Sequence, residues 1–145
     1  MVLLLLGSNL DTAAAVDAAL VALGELGPVR TLVPIRRMRA RSGAGPDYFN
    51  VLATLDTVLD EAALEPHLKA IEARLGRDRS AARVAIDIDL LARRENAGWR
   101  LGNAARRKCE AEQTPARDLL AEAGIGLLDA TAGHAQERLQ PRPGR

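Results

Sequence analysis

The order of apolar segments is the feature of this sequence that most constrains its fold. Four runs have the composition of β-strands, and they occupy residues 2–6, 29–38, 48–57 and 84–91. A segment with helical periodicity follows the first run, and another follows the third. The order strand, helix, strand, strand, helix, strand is that of the split βαβ arrangement of ferredoxin-like sheets. We therefore predict an α+β fold with a βαββαβ core and an antiparallel-rich sheet. Its helices should pack on one face and leave the other face free for a site.

Each helical segment has an apolar stripe at the spacing of a buried helix face. The first stripe is Val16, Leu20, Leu23 and Leu26, and the second is Leu64, Leu68, Ile71 and Leu75. Asn9 or Asp11 is the expected cap of the first helix. Pro66 fits poorly inside a second helix over residues 60–75. That helix therefore either starts later than Asp60 or bends at the proline.

The rest of the chain adds shorter elements to this core. Residues 99–101 are typical of one more strand, and residues 116–123 of a short helix. The length of 145 residues favours one domain. We place that domain at residues 1–133 and expect residues 134–145, which are rich in Gln, Arg, Pro and Gly, to form a flexible tail.

Composition and charge exclude several classes of protein. Hydrophobic residues make up 48% of the chain and charged residues 27%, a balance typical of a globular domain. The net charge of +1 demands neither a nucleic acid nor a membrane as partner, and the few aromatic residues argue against single-strand binding. Cys109 is the only cysteine, so no disulfide framework is expected. The opening MVLLLL lacks the basic flank of a signal sequence, and we expect a cytoplasmic protein.

Arginine carries nearly all of the positive charge, because Lys69 and Lys108 are the only lysines. The arginines cluster in residues 30–41, 74–83, 93–100 and 106–108. Arginine suits bidentate contact with phosphate or carboxylate groups. A base bias of the genome explains an arginine- and alanine-rich sequence equally well, so both interpretations stay open.

The stretch VAIDIDLL at residues 84–91 places two carboxylates on one face of a strand. Asp87 and Asp89 are two residues apart and project together, while the apolar residues between and beside them face the core. An acidic outer face on a half-exposed strand is the simplest interpretation. Adjacent carboxylates repel each other, however, and Mg²⁺ with substrate phosphates would remove that conflict. The arginines of the adjoining loop, GRDRSAAR at residues 76–83, favour this second interpretation because they can neutralise phosphates.

Other catalytic motifs are absent from the sequence. It has no Gly-x-x-x-x-Gly-Lys-Ser/Thr loop and no Gly-x-Ser-x-Gly elbow. Gly43 and Gly45 lack the third glycine and the following helix of a dinucleotide fingerprint. His67 and His134 are far apart in the sequence and have no cysteine or carboxylate cluster beside them, so no zinc site is expected.

Four short motifs occur in the order, and at nearly the spacing, of a known enzyme family. They are LGSNL after the first strand, PDYFN, IEARLGRDR and IDIDLL, and they span residues 3–91. This span resembles 6-hydroxymethyl-7,8-dihydropterin pyrophosphokinase, an enzyme of folate biosynthesis. The resemblance implies a ferredoxin-like α+β fold and the transfer of pyrophosphate from ATP to the hydroxymethyl oxygen of the pterin, with release of AMP. It implies ATP and a pterin as small-molecule partners, and we expect a monomer.

The resemblance also implies roles for individual residues. Asp87 and Asp89 match the ligands of two Mg²⁺ ions that bridge the ATP phosphates. The catalytic residues are Arg77 and Arg83, and the ATP-binding set is Glu72, Arg77, Arg79 and Arg83. The pterin-binding set is Met38, Ala40, Tyr48 and Asn50, with the loop from Met38 to Ala40 supplying backbone contacts. Tyr48 would stack on the pterin ring, and Asn50 would pair with its edge because an amide offers both a donor and an acceptor.

The sequence departs from the family pattern at several points. Arg83 is displaced by one residue relative to the Pro-Arg that the family places before the first aspartate, and the loop between Arg79 and Asp87 is shorter. Beyond residue 91 the Val-Pro-His stretch is absent, and no aromatic residue follows Trp99. Two alternatives follow from these departures. One is a catalytically weakened homologue that binds a pterin, a nucleotide or a protein partner. The other is a phosphate-binding protein of unrelated descent whose aspartate pair is coincidental.

Overall fold

The computed structural model describes residues 1–96 and 98–128 of the chain. The strands are β1 (Val2–Ser8), β2 (Val29–Thr31), β3 (Arg36–Met38), β4 (Tyr48–Leu55), β5 (Asp87–Glu95) and β6 (Gly98–Leu101). The helices are α1 (Ala14–Leu23), α2 (Glu61–Arg74), α3 (Asn103–Arg107) and α4 (Ala116–Ala123), with a 3-10 turn at Glu110–Glu112. The predicted tail, residues 134–145, lies outside the described residues.

One sheet contains all of these strands. Its order is β2–β4–β1–β5–β6, and β3 also pairs with β4. Every pairing between these strands is antiparallel. The predicted run 29–38 is therefore two short strands, β2 and β3, which share β4 as a partner. The predicted α+β fold, with its ferredoxin-like succession of elements, is confirmed.

Helices α1 and α2 cover one face of the sheet, as their apolar stripes predict. Leu4 and Leu6 of β1 pack there, and the helices contribute fully buried leucines such as Leu23 and Leu64. Alternate residues of a strand point to opposite faces, so Leu3 and Leu5 of β1 face the other way.

The second face of the sheet is free only in part, because the C-terminal elements cover the rest of the face that was expected to be open. Leu3, Leu5 and Leu52 form a second apolar cluster with Leu119 and Leu120 of α4. Helix α3 adds Ala105 to this cluster. An ion pair between Arg36 of β3 and Glu122 of α4 also connects the sheet to α4. Apolar side chains on this face require a cover to exclude water, and the C-terminal elements supply it. The site therefore occupies only the part of the face that α4 leaves uncovered.

The start of α1 also differs from the prediction. The helix begins after Ala13, which makes no side-chain cap, so neither Asn9 nor Asp11 caps it. Asn9 instead pairs with the backbone of Val84: its N–H donates to the Val84 carbonyl at 3.0 Å, and its Oδ1 accepts the Val84 N–H at 2.6 Å. Through its backbone and its side chain, Asn9 thus joins the loop after β1 to the segment that precedes β5.

The boundaries of α2 and β5 differ from the predicted ones. Asp60 caps α2 by accepting the Ala63 N–H at 2.8 Å, and the helix runs through Pro66 without interruption. Strand β5 begins at Asp87 and extends to Glu95, so it lies further along the chain than the predicted run 84–91. Helix α3 and the 3-10 turn were not predicted. In the described part of the chain, no helix combines the length and the apolar character that crossing a membrane requires.

Candidate functional site

The floor of the candidate site is a row of three residues across three adjacent strands, near the end of β1 and at the start of β5. Gly7 of β1 pairs with Asn50 of β4 on one side and with Asp87 of β5 on the other. Residues that are opposite each other in adjacent strands point to the same face, so Asn50 and Asp87 flank a position that has no side chain. A Cβ atom at Gly7 would lie 2.7 Å from Asn50 Oδ1. Glycine therefore opens the floor between the amide and the carboxylate.

A cavity of about 260 Å³ stands on this floor. Strand residues Leu5, Gly7, Tyr48, Asn50, Asp87 and Asp89 form its base and walls, the loop residues Arg39–Ser42 form one side, and Glu110 and Pro115 close it from the C-terminal segment. Arg41 crosses between these two sides, because it donates to Gln113 Oε1 at 2.7 Å and lies 3.9 Å from Glu110 Oε2. The cavity thus joins the sheet, the loop after β3 and the 3-10 turn.

Three carboxylates meet at one end of this cavity. Asp87 and Asp89 share a face of β5, as predicted, and the buried side chain of Glu110 joins them from the 3-10 turn. Burial, followed by the charges of Asp87 and Glu110, raises the pKa of Asp89 to about 8, and the charge of Lys108 opposes this rise. Such repulsion between like charges is relieved when a cation binds or when a carboxyl group takes up a proton.

The donor set at this end suits a hard divalent cation. Carboxylate oxygens are the ligands that Mg²⁺ prefers, and the two aspartates project into the same space. Within residues 1–96 and 98–128, no group of three or more His, Cys, Asp or Glu residues is arranged to hold a metal ion by itself. An ion at Asp87 and Asp89 would therefore need further oxygen ligands from water or from a substrate, which is how Mg²⁺ commonly binds with phosphates.

Glu72 is a buried link between α2, β5 and the basic loop. Its side chain accepts the Ile88 N–H at 2.8 Å and an Arg79 guanidinium N–H at 3.1 Å. Burial raises the pKa of Glu72, and the Ile88 hydrogen bond opposes that rise. Because both carboxylate oxygens have protein partners, Glu72 orients Arg79 and β5 rather than presenting an unengaged oxygen.

The basic loop lies on the far side of the aspartates from the main cavity. Gly76 adopts a φ of 97°, and the Arg77 N–H donates to the Glu72 carbonyl at 2.9 Å, so the chain turns sharply after α2. Arg77 and Arg79 line a cavity of about 90 Å³ beside Lys69. The Nε atom of Arg77 is buried and has no hydrogen-bond partner among the described residues. An unsatisfied buried donor costs free energy, so an anion that enters this cavity would offer the acceptor that the Nε atom lacks.

Arg83 lies apart from these groups. It donates to the Asn9 carbonyl at 2.9 Å and forms a pair with the Asp11 carboxylate at 3.1 Å. It lines neither the main cavity nor the one beside Arg77. The structure thus brings Arg79 to a cavity that the aspartates also line, and it places Arg77 beside Arg79. Arg83 is instead engaged at the loop after β1.

Three of the four predicted pterin-binding residues line the main cavity, and one does not. Tyr48, Asn50 and Ala40 line the main cavity, whereas Met38 pairs with Tyr48 in the sheet and packs against the second apolar cluster. Asn50 is almost fully buried, and its Nδ2 atom has no hydrogen-bond partner among the described residues. A buried amide that lacks a partner costs free energy, so its presence in a cavity indicates a ligand that accepts this hydrogen bond.

Several lining residues were missed in the sequence. Gly7 was interpreted only as the end of the first strand, although its place on the same face as Leu5 is readable from the alternation of β1. Glu110 and Arg41 gave no comparable signal, because the first follows an irregular basic stretch and the second belongs to a loop. Only the docking of the C-terminal segment brings them to the aspartates.

Comparison with known proteins agrees with this geometry. Residues 3–121 match the family model of 7,8-dihydro-6-hydroxymethylpterin-pyrophosphokinase, so the similarity continues about 30 residues beyond the span that carries the four motifs. A search among curated proteins found no similar sequence. The family match rules out an unrelated descent for the aspartate pair, and it implies a kinase-type enzyme of pyrophosphoryl transfer in folate biosynthesis. With most of its length matched, the chain belongs to the 7,8-dihydro-6-hydroxymethylpterin-pyrophosphokinase family.

Proposed function

We propose that this protein transfers pyrophosphate from ATP to the hydroxymethyl oxygen of 6-hydroxymethyl-7,8-dihydropterin and releases AMP. The observation that carries the proposal is the row Asn50–Gly7–Asp87. It places a buried amide donor, which has no partner among the described residues, across Gly7 from the carboxylate of Asp87, with no side chain between them. A pterin edge supplies the acceptor for the amide, and a nucleotide with Mg²⁺ supplies the positive charge and the oxygen ligands that the carboxylates need.

The bonds exchanged define what the residues must do. A bond forms between the hydroxymethyl oxygen and the β-phosphorus, and the bond from that phosphorus to the oxygen shared with the α-phosphorus breaks. The electron pair leaves on the AMP oxygen, and the hydroxyl proton is released. Catalysis of such a transfer rests mainly on alignment and on positive charge around the moving group.

The residues on the pterin side provide alignment. Asn50 would hold the edge of the ring and Tyr48 would stack on its face, while Ala40 lines the same cavity. Glycine at position 7 leaves room for the ring between Asn50 and Asp87. The hydroxymethyl group would then point toward Asp87 and Asp89 at the far end of the floor.

The residues on the nucleotide side provide charge. Asp87 and Asp89 would hold Mg²⁺, which supplies positive charge to the phosphates when bound. Arg77 and Arg79 would add guanidinium donors, and Glu72 keeps Arg79 in place through its hydrogen bond. The proton of the hydroxyl group is lost toward the carboxylate-lined end of the cavity.

The direct test is to incubate the protein with ATP, Mg²⁺ and 6-hydroxymethyl-7,8-dihydropterin and to measure AMP together with the diphosphorylated pterin. We expect both products in equal amounts, and we expect Asp87→Asn and Asp89→Asn to abolish Mg²⁺-dependent nucleotide binding. Asp118→Asn is the matched control, because Asp118 is an exposed carboxylate that pairs with Arg117 on α4. Release of inorganic phosphate or ADP instead of AMP would contradict the proposal.

A second candidate is a catalytically weakened homologue that binds a pterin or a nucleotide. The observation that favours it is the pairing of Arg83 with Asp11, which withholds one cation from the phosphates. Calorimetric titration with the pterin separates the two candidates. Pterin binding without any AMP formation would favour the weakened homologue.

A further inference from the structure

A small cavity of about 60 Å³ continues from the main one on the other side of the aspartates. Asp87, Asp89 and Glu110 line both cavities, so the carboxylates form the partition between them. The basic residues on the outer side of this partition are Lys69, Arg79 and Lys108. The only two lysines of the chain therefore meet at one place, from α2 and from the C-terminal segment.

These three cations differ in whether they form ion pairs with neighbouring carboxylates. Arg79 pairs with Glu72 at 3.1 Å, and Lys69 lies 3.5 Å from Glu65. Lys108 has no ion pair within 4.0 Å among the residues that the structure describes. The charge of Lys108 acts on Asp89 without forming an ion pair, so among the described cations of this cavity it is the one whose ammonium group can pair with an added anion.

The backbone that carries Lys108 is held in place from two directions. Glu61 of α2 accepts the N–H groups of Asn103 and Ala104 at 2.9 and 3.2 Å, which ties the start of α3 to α2. At the end of α3, the Lys108 N–H donates to the Ala104 carbonyl at 3.1 Å, and Gln113 donates to the Lys108 carbonyl at 3.3 Å. Lys108 is therefore presented to the cavity by a fixed turn.

We propose that Lys108 is a nucleotide-binding residue that contacts the phosphate chain of ATP, and that it supplies the charge that Arg83 withholds through its pair with Asp11. This inference rests on the proposed function for the identity of the nucleotide. A compact ammonium group on a flexible stem suits a phosphate chain, because it follows the oxygen atoms without the fixed fork of arginine. Its position beside the aspartates is also where metal-bound phosphates would lie.

The experiment measures binding, not turnover. The probe is α,β-methylene-ATP with Mg²⁺, whose bridge cannot be cleaved, and AMP is the comparison ligand without the phosphate chain. We expect Lys108→Gln to weaken binding of the analogue about tenfold, which is the effect of losing one charged contact, and to change AMP binding by no more than about twofold. Lys108→Arg should restore most of the affinity. Arg117→Gln is the matched control, because it removes one positive charge from an exposed helix that does not line this cavity.

Equal binding of the analogue by Lys108→Gln and the parent protein would overturn the inference, as would an equal loss for AMP and the analogue. A parent protein that does not bind the analogue at all would also overturn it.

The assay for AMP formation is separate from this binding experiment. A parent that makes no AMP, but whose affinity for the analogue depends on Lys108, would refute the proposed function and leave this inference standing.

Discussion

Asn50 and Asp87 stand opposite each other across Gly7, each paired with it in the register of the sheet. Strands β4 and β5 are far apart in the sequence, and β1 brings them to either side of one glycine. The amide and the carboxylate thus face a common space whose width is set by the spacing of two strands, nearly 10 Å. This distance suits a flat heterocycle held at one end and reacting at the other.

Asn50→Leu should lower the affinity for the pterin without lowering the stability of the fold. Leucine has nearly the shape of asparagine and lacks the buried Nδ2 donor, for which the described part of the chain provides no acceptor. We expect the free energy of unfolding to stay the same or to rise by about 1 kcal/mol, because an unpaired buried polar group is removed. Pterin affinity should fall by at least about tenfold, since the ligand loses its hydrogen-bond donor. Chemical denaturation and calorimetry measure the two effects. A destabilised variant with unchanged pterin affinity would contradict the assignment of Asn50.

Gly7→Ala should narrow the floor of the main cavity. The new Cβ atom would lie 2.7 Å from Asn50 Oδ1, so the Asn50 side chain must move. We expect a loss of about 1–3 kcal/mol in the free energy of unfolding, as for other overpacked sites, together with weaker pterin binding. Gly126→Ala is the control, because a Cβ atom there meets no described atom within 4 Å. Full pterin affinity in Gly7→Ala would show that the ring does not lie over this position.

The stability of the metal-free protein should fall as the pH rises from about 4 to 8. Asp89 has an ordinary pKa of 3.8 when unfolded and about 8 when folded, so between these values the folded state holds more protons. For each extra proton that the folded state holds, the free energy of unfolding falls by up to about 1.4 kcal/mol for every unit by which the pH rises. The raised pKa of Glu72 acts in the same direction. Asp89→Asn should therefore flatten the slope without removing it, and urea denaturation at several pH values measures this. An identical slope in parent and variant would contradict the raised pKa of Asp89.

Arg77→Ala and Arg83→Ala should have unequal effects on turnover. The buried Nε atom of Arg77 finds no acceptor in residues 1–96 and 98–128, whereas Arg83 is engaged by Asp11. We expect Arg77→Ala to lower turnover at least about a hundredfold, which is about 3 kcal/mol of transition-state stabilisation. Arg83→Ala should cost less and should affect mainly nucleotide affinity. Steady-state kinetics on both variants provides the test. Comparable large losses would mean that Arg83 leaves Asp11 when substrates bind.

Local patterns in the sequence determined much of the fold and part of the site. The alternation of β5 places Asp87 and Asp89 on one face, and the alternation of β4 does the same for Tyr48 and Asn50. Apolar stripes at helical spacing identify the buried sides of α1 and α2. These features depend on the geometry of single elements, in which side-chain direction follows from residue spacing alone.

The tertiary structure decided how these faces meet and what covers them. The register between strands brought Gly7 between Asn50 and Asp87, and no local pattern specifies which residues of distant strands become neighbours. The docking of α4 covered part of the sheet face that was expected to be free, and the 3-10 turn before it added Glu110 to the aspartates. The path of the loop after β1 gave Arg83 a partner in Asp11. Each of these results depends on contacts between segments far apart in the chain, whose free energies are settled only when the whole core is packed.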